Sequence, residues 1–401
     1  MFVLRIKKPN ICSLIDALIL CYMIAIGLFS SNKYHIITNG IAFLLILVLF
    51  VYHFMRNRFV FYPFVKIFLA FLLFCYASIL WAWSREITIV KCTTLTILCA
   101  LYCLMYHYLV AERKLDFFIR AMCINGFVYA LGIIIFYGGV GNFLHELSYG
   151  TRMGAEIANV NTIGMTTALG ALFCLWEFLY KKRRWGAVFF ALCVFIALSS
   201  GSRKALIALV MGMGMLFVLR QEHGRRGMAV LQMLGAMYVF FLVLQLPMFD
   251  TINTRFEQMI DTFLGSGPKE ASADERMRMM QIGWRQFLDT PFWGTGIGGS
   301  AVLTMKTLAW STYLHNNYAE LLSSIGIIGT GIFYSFFFVP LYKCYKMHLM
   351  RTAEGKLMVI ILAIYLFLQM AVVIYDGKLP YFYIMFGFLV VDSYAYGEKN
   401  E

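Results

Sequence analysis

Residues 272–329 read SADERMRMMQIGWRQFLDTPFWGTGIGGSAVLTMKTLAWSTYLHNNYAELLSSIGIIG. The stretch changes character at His315. Before it lie a charged helical pattern and a glycine-rich turn. After it comes an apolar run to Lys343 in which Glu320 is the only charge. About 20 mostly apolar residues cross a bilayer, so the run predicts a membrane span with a long polar loop ahead of it. It is the only long polar insertion in an apolar chain, and chemistry on water-soluble reactants is most easily placed there.

Working outward, the 401 residues are 61% hydrophobic and 14% charged, with mean hydropathy +0.75. A soluble globular chain carries about a quarter charged residues, which excludes that class. Spans are expected at 11–30, 36–54, 62–83, 88–111, 117–138, 160–180, 185–200, 203–219, 228–246, 316–343, 357–375 and 379–396. The expected fold is an all-α polytopic integral membrane protein of about twelve transmembrane helices. It forms one domain over 1–401, with 247–315 as a long extracytoplasmic loop holding an amphipathic helix. The run from Ile11 is too long for a signal-peptide core and lacks an A-x-A-like end, so it reads as a retained first span.

With the N-terminus inside, 21 of the 34 Lys and Arg fall on the cytoplasmic side. Six of the other 13 sit in the long loop, and long loops are exempt from the positive-inside bias. Both termini are therefore expected in the cytoplasm. The formal charge of +13 then serves orientation and contact with anionic lipid, and nucleic acid is not required as a partner. The ten cysteines lie in or beside apolar spans without a C-x-x-C, so neither a disulfide framework, a metal site nor a cofactor is expected. Trp81, Trp83, Trp185, Trp284, Trp293 and Trp310 read as an interfacial belt. No internal repeat supports an inverted-repeat transporter.

Within the loop, Ser272 and Glu275 form a capping-box pattern, and Met277, Met280, Trp284 and Leu288 recur at helical spacing until Thr290-Pro291. This predicts an amphipathic helix at the outer interface, with Arg278, Gln281 and Arg285 on its solvated face. Gly294-Thr-Gly-Ile-Gly-Gly299 matches G-x-G-x-x-G, but no strand or βαβ unit surrounds it, and a tight re-entry turn is the better reading. Gly326-Ile-Ile-Gly-Thr-Gly331 reads as close helix packing.

Four outer-face cations stand against the positive-inside bias: Arg152, Arg203, Lys204 and Arg276. Arg203 and Lys204 follow Ser199-Ser-Gly-Ser202 and open a span, where the helix dipole disfavours a cation. A bound anion there would use both the free amides and the side chains; snorkelling to the interface accounts for position equally well. His315 alone is more often structural, but its company of Asn316, Asn317, Tyr318 and Glu320 suits an imidazole that takes a proton from a hydroxyl.

The order of these features resembles the bacterial O-antigen ligase and O-antigen polymerase superfamily. The resemblance rests on Arg203 in Ser-Gly-Ser-Arg-Lys, Arg276 fifteen residues before Pro291, the Pro-x-x-Gly-x-Gly turn, and His315-Asn-Asn-Tyr ahead of Gly326-Ile-Ile-Gly329. Arg152-Met-Gly154 and Asn159-Val-Asn161 add to it, with Val160 where the family often has proline. It spans about residues 150–335. The resemblance implies a metal-independent inverting glycosyltransferase in the bacterial cytoplasmic membrane, working on its outer face. The donor would be an undecaprenyl-diphosphate-linked glycan and the acceptor a glycan or lipid-linked sugar. By the same resemblance Arg203 and Arg276 would hold the diphosphate and His315 would deprotonate the acceptor. Arg152, Asn161, Lys204, Asn316 and Tyr318 would be substrate contacts, and a chain-length regulator or other polysaccharide-assembly protein an expected partner. Polymerase is the first expectation and ligase the second. A lipid-linked oligosaccharide transporter would need mid-span charges, which are scarce. A pure scaffold would leave Arg276→Ala harmless.

Overall fold

The computed structural model describes residues 11–29, 35–56, 60–149, 153–154, 159–221 and 271–397, with isolated positions between 227 and 254. Among them the chain is helical throughout. In order the helices are α1 (Ile11–Leu28), α2 (His35–Arg56), α3 (Pro63–Ala77), α4 (Arg85–Ala111), α5 (Leu115–Phe136), α6 (Val140–Ser148), α7 (Val160–Lys181), α8 (Arg184–Ser199) and α9 (Arg203–Arg220). After the long loop come α10 (Ala271–Asp289), α11 (Gly299–Leu308), α12 (Asn317–Lys346), α13 (Ala353–Leu368) and α14 (Lys378–Gly397). Starts follow local rules: Pro63 opens α3, and Ser84, Asn159, Ser202, Asn316 and Thr352 accept backbone N–H bonds as N-caps.

Seven of these helices are long and apolar enough to cross a membrane: α1, α2, α3 with its 3-10 extension, α4, α5, α7 and α12. The chain is a polytopic membrane protein. On α2, Phe43, Leu47, Phe50 and Phe54 form an exposed row at helical spacing, a surface that hydrocarbon solvates and water does not. Helices α8, α9, α13 and α14 stand where further spans were expected. The expected span 228–246 lies largely outside the described residues. One boundary was misread: of 357–375 only the part up to Leu368 is helix, and 369–377 forms the link to α14.

Helix α7 is the most enclosed of the seven, with 78% of its span window buried. It meets α5 where Gly126 and Gly170 lie back to back, a Cβ on Gly126 falling 2.8 Å from the Gly170 Cα. Ion pairs tie the helix ends that the charge bias puts inside: Lys114–Asp16 (2.7 Å), Arg56–Glu112 (2.8 Å), Arg183–Glu177 (3.0 Å), Lys181–Glu354 (3.0 Å) and Lys343–Asp392 (3.8 Å). The capped N-termini of α4, α7, α9 and α12 gather at the opposite ends.

At that opposite end α12 is kinked. Gly326 has φ 62 and ψ −171 inside the helix, and the turn after α10 fills the break. Ile327 N donates to Pro291 O (2.8 Å) and Thr295 N to Ser323 O (3.2 Å). A Cβ on Gly326 would lie 2.3 Å from the Phe292 carbonyl carbon, and one on Gly294 2.4 Å from the Ser324 carbonyl carbon. Gly326 is therefore a joint rather than ordinary small-residue packing, and only glycine allows its backbone conformation with a second backbone in contact. Gly326→Ala is expected to cost about 2–5 kcal/mol through strain and overlap, measured as a fall in the melting temperature of detergent-purified protein. Gly331→Ala, with nothing within 4 Å of the added carbon, should leave it unchanged.

Candidate functional site

His315 sits in the turn between α11 and α12, in the left-handed region at φ 55, half-buried and against the Tyr313 ring (centroids 4.2 Å). The turn is pinned by Glu320, which is 1% exposed. One of its carboxylate oxygens accepts from Leu314 N (2.9 Å) and the other from the Ser300 hydroxyl. A buried carboxylate needs such partners, and here they fix the residue next to the imidazole.

The following residues tie this turn to the link 369–377. Asn316 caps α12 through Ala319 N (3.0 Å) and donates from Nδ2 to Met370 O (3.1 Å). Asn317, fully buried, donates its backbone N–H to Gln369 O (2.8 Å). Its Nδ2 donates to Gln369 Oε1 (2.8 Å) and its Oδ1 accepts from Ile374 N (3.0 Å). Tyr334 OH donates to the same Gln369 oxygen (3.0 Å). Tyr318 stacks on Tyr334 (5.0 Å) and donates to Leu366 O (2.7 Å). The polar atoms of Asn316 and Tyr318, expected as substrate contacts, are thus engaged in holding the start of α12 to the end of α13 and the link after it.

Lys204 reaches the same link from α9, donating to Ala371 O (2.6 Å). It lines a largely apolar cavity of about 400 Å³ with Asn161, Thr162, Met165, Leu368 and Lys378. Asn161 is brought to it by the Ser202 hydroxyl, which donates to its Oδ1 (3.0 Å). Lys378 lies across the cavity, bonded to Asn39 Oδ1 (2.6 Å). Arg203 opens α9 as expected, but it is Lys204 that lines the cavity. Arg152 lies outside the described residues.

Arg276 lies in the second turn of α10, exposed to solvent. Its charge and that of Lys204 act on each other and on His315. Burial, then Arg276, then Lys204 hold the imidazole below its ordinary value of 6.5, with Glu275 opposing them. The ring is consequently neutral at physiological pH and able to accept a proton. Positions 204, 276 and 315 thus lie within electrostatic reach of one another.

Helix α10 contains Ser272 rather than starting after it. Its protein-facing side is Met279, Gly283 and Gln286, all buried, with Met279 packed among Leu314 and Ala319. A Cβ on Gly283 would meet Leu314 at 2.5 Å. The stripe Met277, Trp284 and Leu288 stays exposed. Sequence periodicity found that outward stripe except for Met280, which is half-buried and accepts from Asn316 Nδ2 (3.1 Å), and it missed the inward face, because Met-x-x-x-Gly-x-x-Gln carries little hydrophobic contrast.

Several residues of the site escaped the sequence reading. Lys91 pairs with Asp376 (2.5 Å), fastening the link 369–377 to α4. Gln369 was a lone polar residue in an apolar run, the signal that a buried network leaves. Among the described residues no group of three or more His, Cys, Asp or Glu is assembled for a metal.

The fold and site define a polytopic membrane protein with cations and a neutral imidazole at the helix ends opposite the ion-paired ones. Residues 187–334 match the O-antigen ligase family model. That stretch contains Arg203, Lys204, Arg276, the 291–299 turn and His315, and the match supports the superfamily of O-antigen ligases and polymerases to which the motifs point. Its members are glycosyltransferase-like enzymes of lipid-linked glycans. The comparison with curated proteins gives no match.

Proposed function

We propose that the chain polymerises a surface polysaccharide on the outer face of the bacterial cytoplasmic membrane. The growing glycan passes from undecaprenyl diphosphate to a hydroxyl of the next lipid-linked repeat unit. The observation that carries this reading is the electrostatic influence of Lys204 and Arg276 on His315, with Lys204 lining an apolar cavity. In the step, the acceptor oxygen forms a bond to the anomeric carbon, and the carbon–oxygen bond to the diphosphate breaks. The electron pair leaves with the diphosphate, and the acceptor proton goes to His315. Charge building on the leaving oxygens needs preorganised cations, the role of Lys204 and Arg276 with Arg203 nearby. The apolar cavity with Lys204 and Lys378 at its wall suits an isoprenoid next to an anion. Asn161 contacts the donor from α7, and Arg152 belongs to the same proposed set.

A second reading is favoured by the description of the matching family: ligation of the finished glycan to lipid A core or another envelope acceptor. Gel profiles of surface polysaccharide separate the two, in a deletion strain carrying wild type, His315→Ala, Arg276→Ala, Arg203→Ala or Lys204→Met at equal membrane levels. Loss of the long ladder, leaving single repeats on the normal anchor, means polymerase. Long chains stranded on the lipid carrier mean ligase. An unchanged profile in all variants sinks both.

A further inference from the structure

We propose that the groove between α10 and the first turns of α12 is the acceptor's saccharide subsite. Trp284 would be the platform for the apolar face of a pyranose, and Gln281 and Arg285 its hydrogen-bonding edge. The assignment rests on the glycosyl-transfer reading above. The groove has a volume of about 380 Å³ and is lined by Met280, Gln281, Trp284, Arg285, Asn316 and Tyr318 among others. Apolar walls with a few placed polar groups are what a small-ligand site of this size presents.

Its position relative to the first cavity carries the argument. Asn316 lines the groove and donates to Met370 O, while Lys204 lines the cavity and donates to the adjacent Ala371 O. One strip of backbone thus separates two spaces, and His315 adjoins it through Asn316. An inverting displacement brings nucleophile and leaving group to opposite faces of one carbon, which calls for two compartments beside one base.

The lining chemistry selects a sugar over a lipid tail. Gln281, Trp284 and Arg285 recur at i, i+3 and i+4, so they share one helix face. That face lies away from the buried Met279, Gly283 and Gln286, and Trp284 is 52% exposed. Its ring touches Phe287 (centroids 5.3 Å), which steadies it without covering it. An acyl or isoprenoid chain would be served by Met277, Met280 and Leu322 alone. Hydroxyls in a mostly apolar groove need the amide and guanidinium that stand there.

The test is saturation-transfer NMR on the full chain in nanodiscs. The probe is the repeat-unit oligosaccharide released from the source organism's own surface polysaccharide. Trp284→Tyr keeps a ring and should bind as wild type does. Trp284→Leu keeps the apolar surface but loses the ring, and should weaken binding about tenfold or more, with Gln281→Ala weakening it in the same direction. Equal binding by wild type and Trp284→Leu, or no binding by wild type, overturns the subsite and leaves a lipid contact in its place. His315→Ala should bind the probe normally while losing transfer. Retained transfer in that variant would instead remove His315 from the chemistry, whatever Trp284 does, and no transfer by wild type would overturn the glycosyltransferase reading.

Discussion

His315→Ala is expected to lower glycan transfer by about 10²–10⁴-fold, the usual worth of a positioned general base. The loss should fall on the rate at saturating substrate, because the imidazole acts on the acceptor proton rather than on donor binding. A purified-enzyme assay with lipid-linked donor measures it directly, and a rate within threefold of wild type would remove His315 from the chemistry. The pH profile supplies a second reading of the same group. The neutral ring is the active form, so activity is present above the folded pKa and lost as pH falls through it. Burial, Arg276 and Lys204 hold that pKa below 6.5, so the acid limb should lie below the ordinary histidine value, with activity level through neutrality. His315→Gln should abolish the limb with the activity. The same shift makes the unfolded chain bind a proton first, so stability drawn from this site is present above about 6.5 and declines as pH falls towards the folded pKa.

Why His315 has this setting is only half visible in its own neighbourhood of sequence. The spans were legible because apolar length and capping residues are local properties: Ser202 and Arg203 mark the start of α9 wherever α9 goes. The outward stripe of α10 and its stop at Thr290-Pro291 were legible for the same reason. The kink at Gly326 was not, because Gly-Ile-Ile-Gly reads as small-residue packing until the Phe292 carbonyl is found against it. The link 369–377 was hidden in an apolar run that looks like the end of a span. It becomes a loop because Asn317, more than fifty residues earlier, takes its backbone and side-chain groups in place of helical partners. Lys204 and Arg203 are equivalent in sequence, and only the turn of α9 decides which one lines the cavity. A polar residue placed singly in apolar surroundings, Gln369, carried the missing information.

Arg276→Gln is expected to lower transfer about 10²–10³-fold by removing one of the cations that stabilise the departing diphosphate. It should also shift the acid limb of the pH profile, and the direction separates a direct role from a general loss of structure. Arg276 is the larger of the two cationic influences that depress the His315 pKa. Its neutralisation therefore moves the limb up towards 6.5. Arg276→Lys keeps the charge and should keep the limb in place even if the rate falls, since an ammonium does not reproduce the planar fork on a phosphate. Glu275→Gln should do the reverse: Glu275 raises the imidazole pKa, so its loss pushes the limb lower. Lys204→Met should raise the limb as Arg276→Gln does, with a further loss of rate because the Ala371 carbonyl loses its partner and the link 369–377 loosens. Shifts of opposite sign from adjacent residues of α10 are hard to obtain from misfolding, which would move both profiles alike. A limb that stays fixed in Arg276→Gln and Glu275→Gln would mean that the first turns of α10 stand apart from His315. The diphosphate would then have to be held by α9 alone.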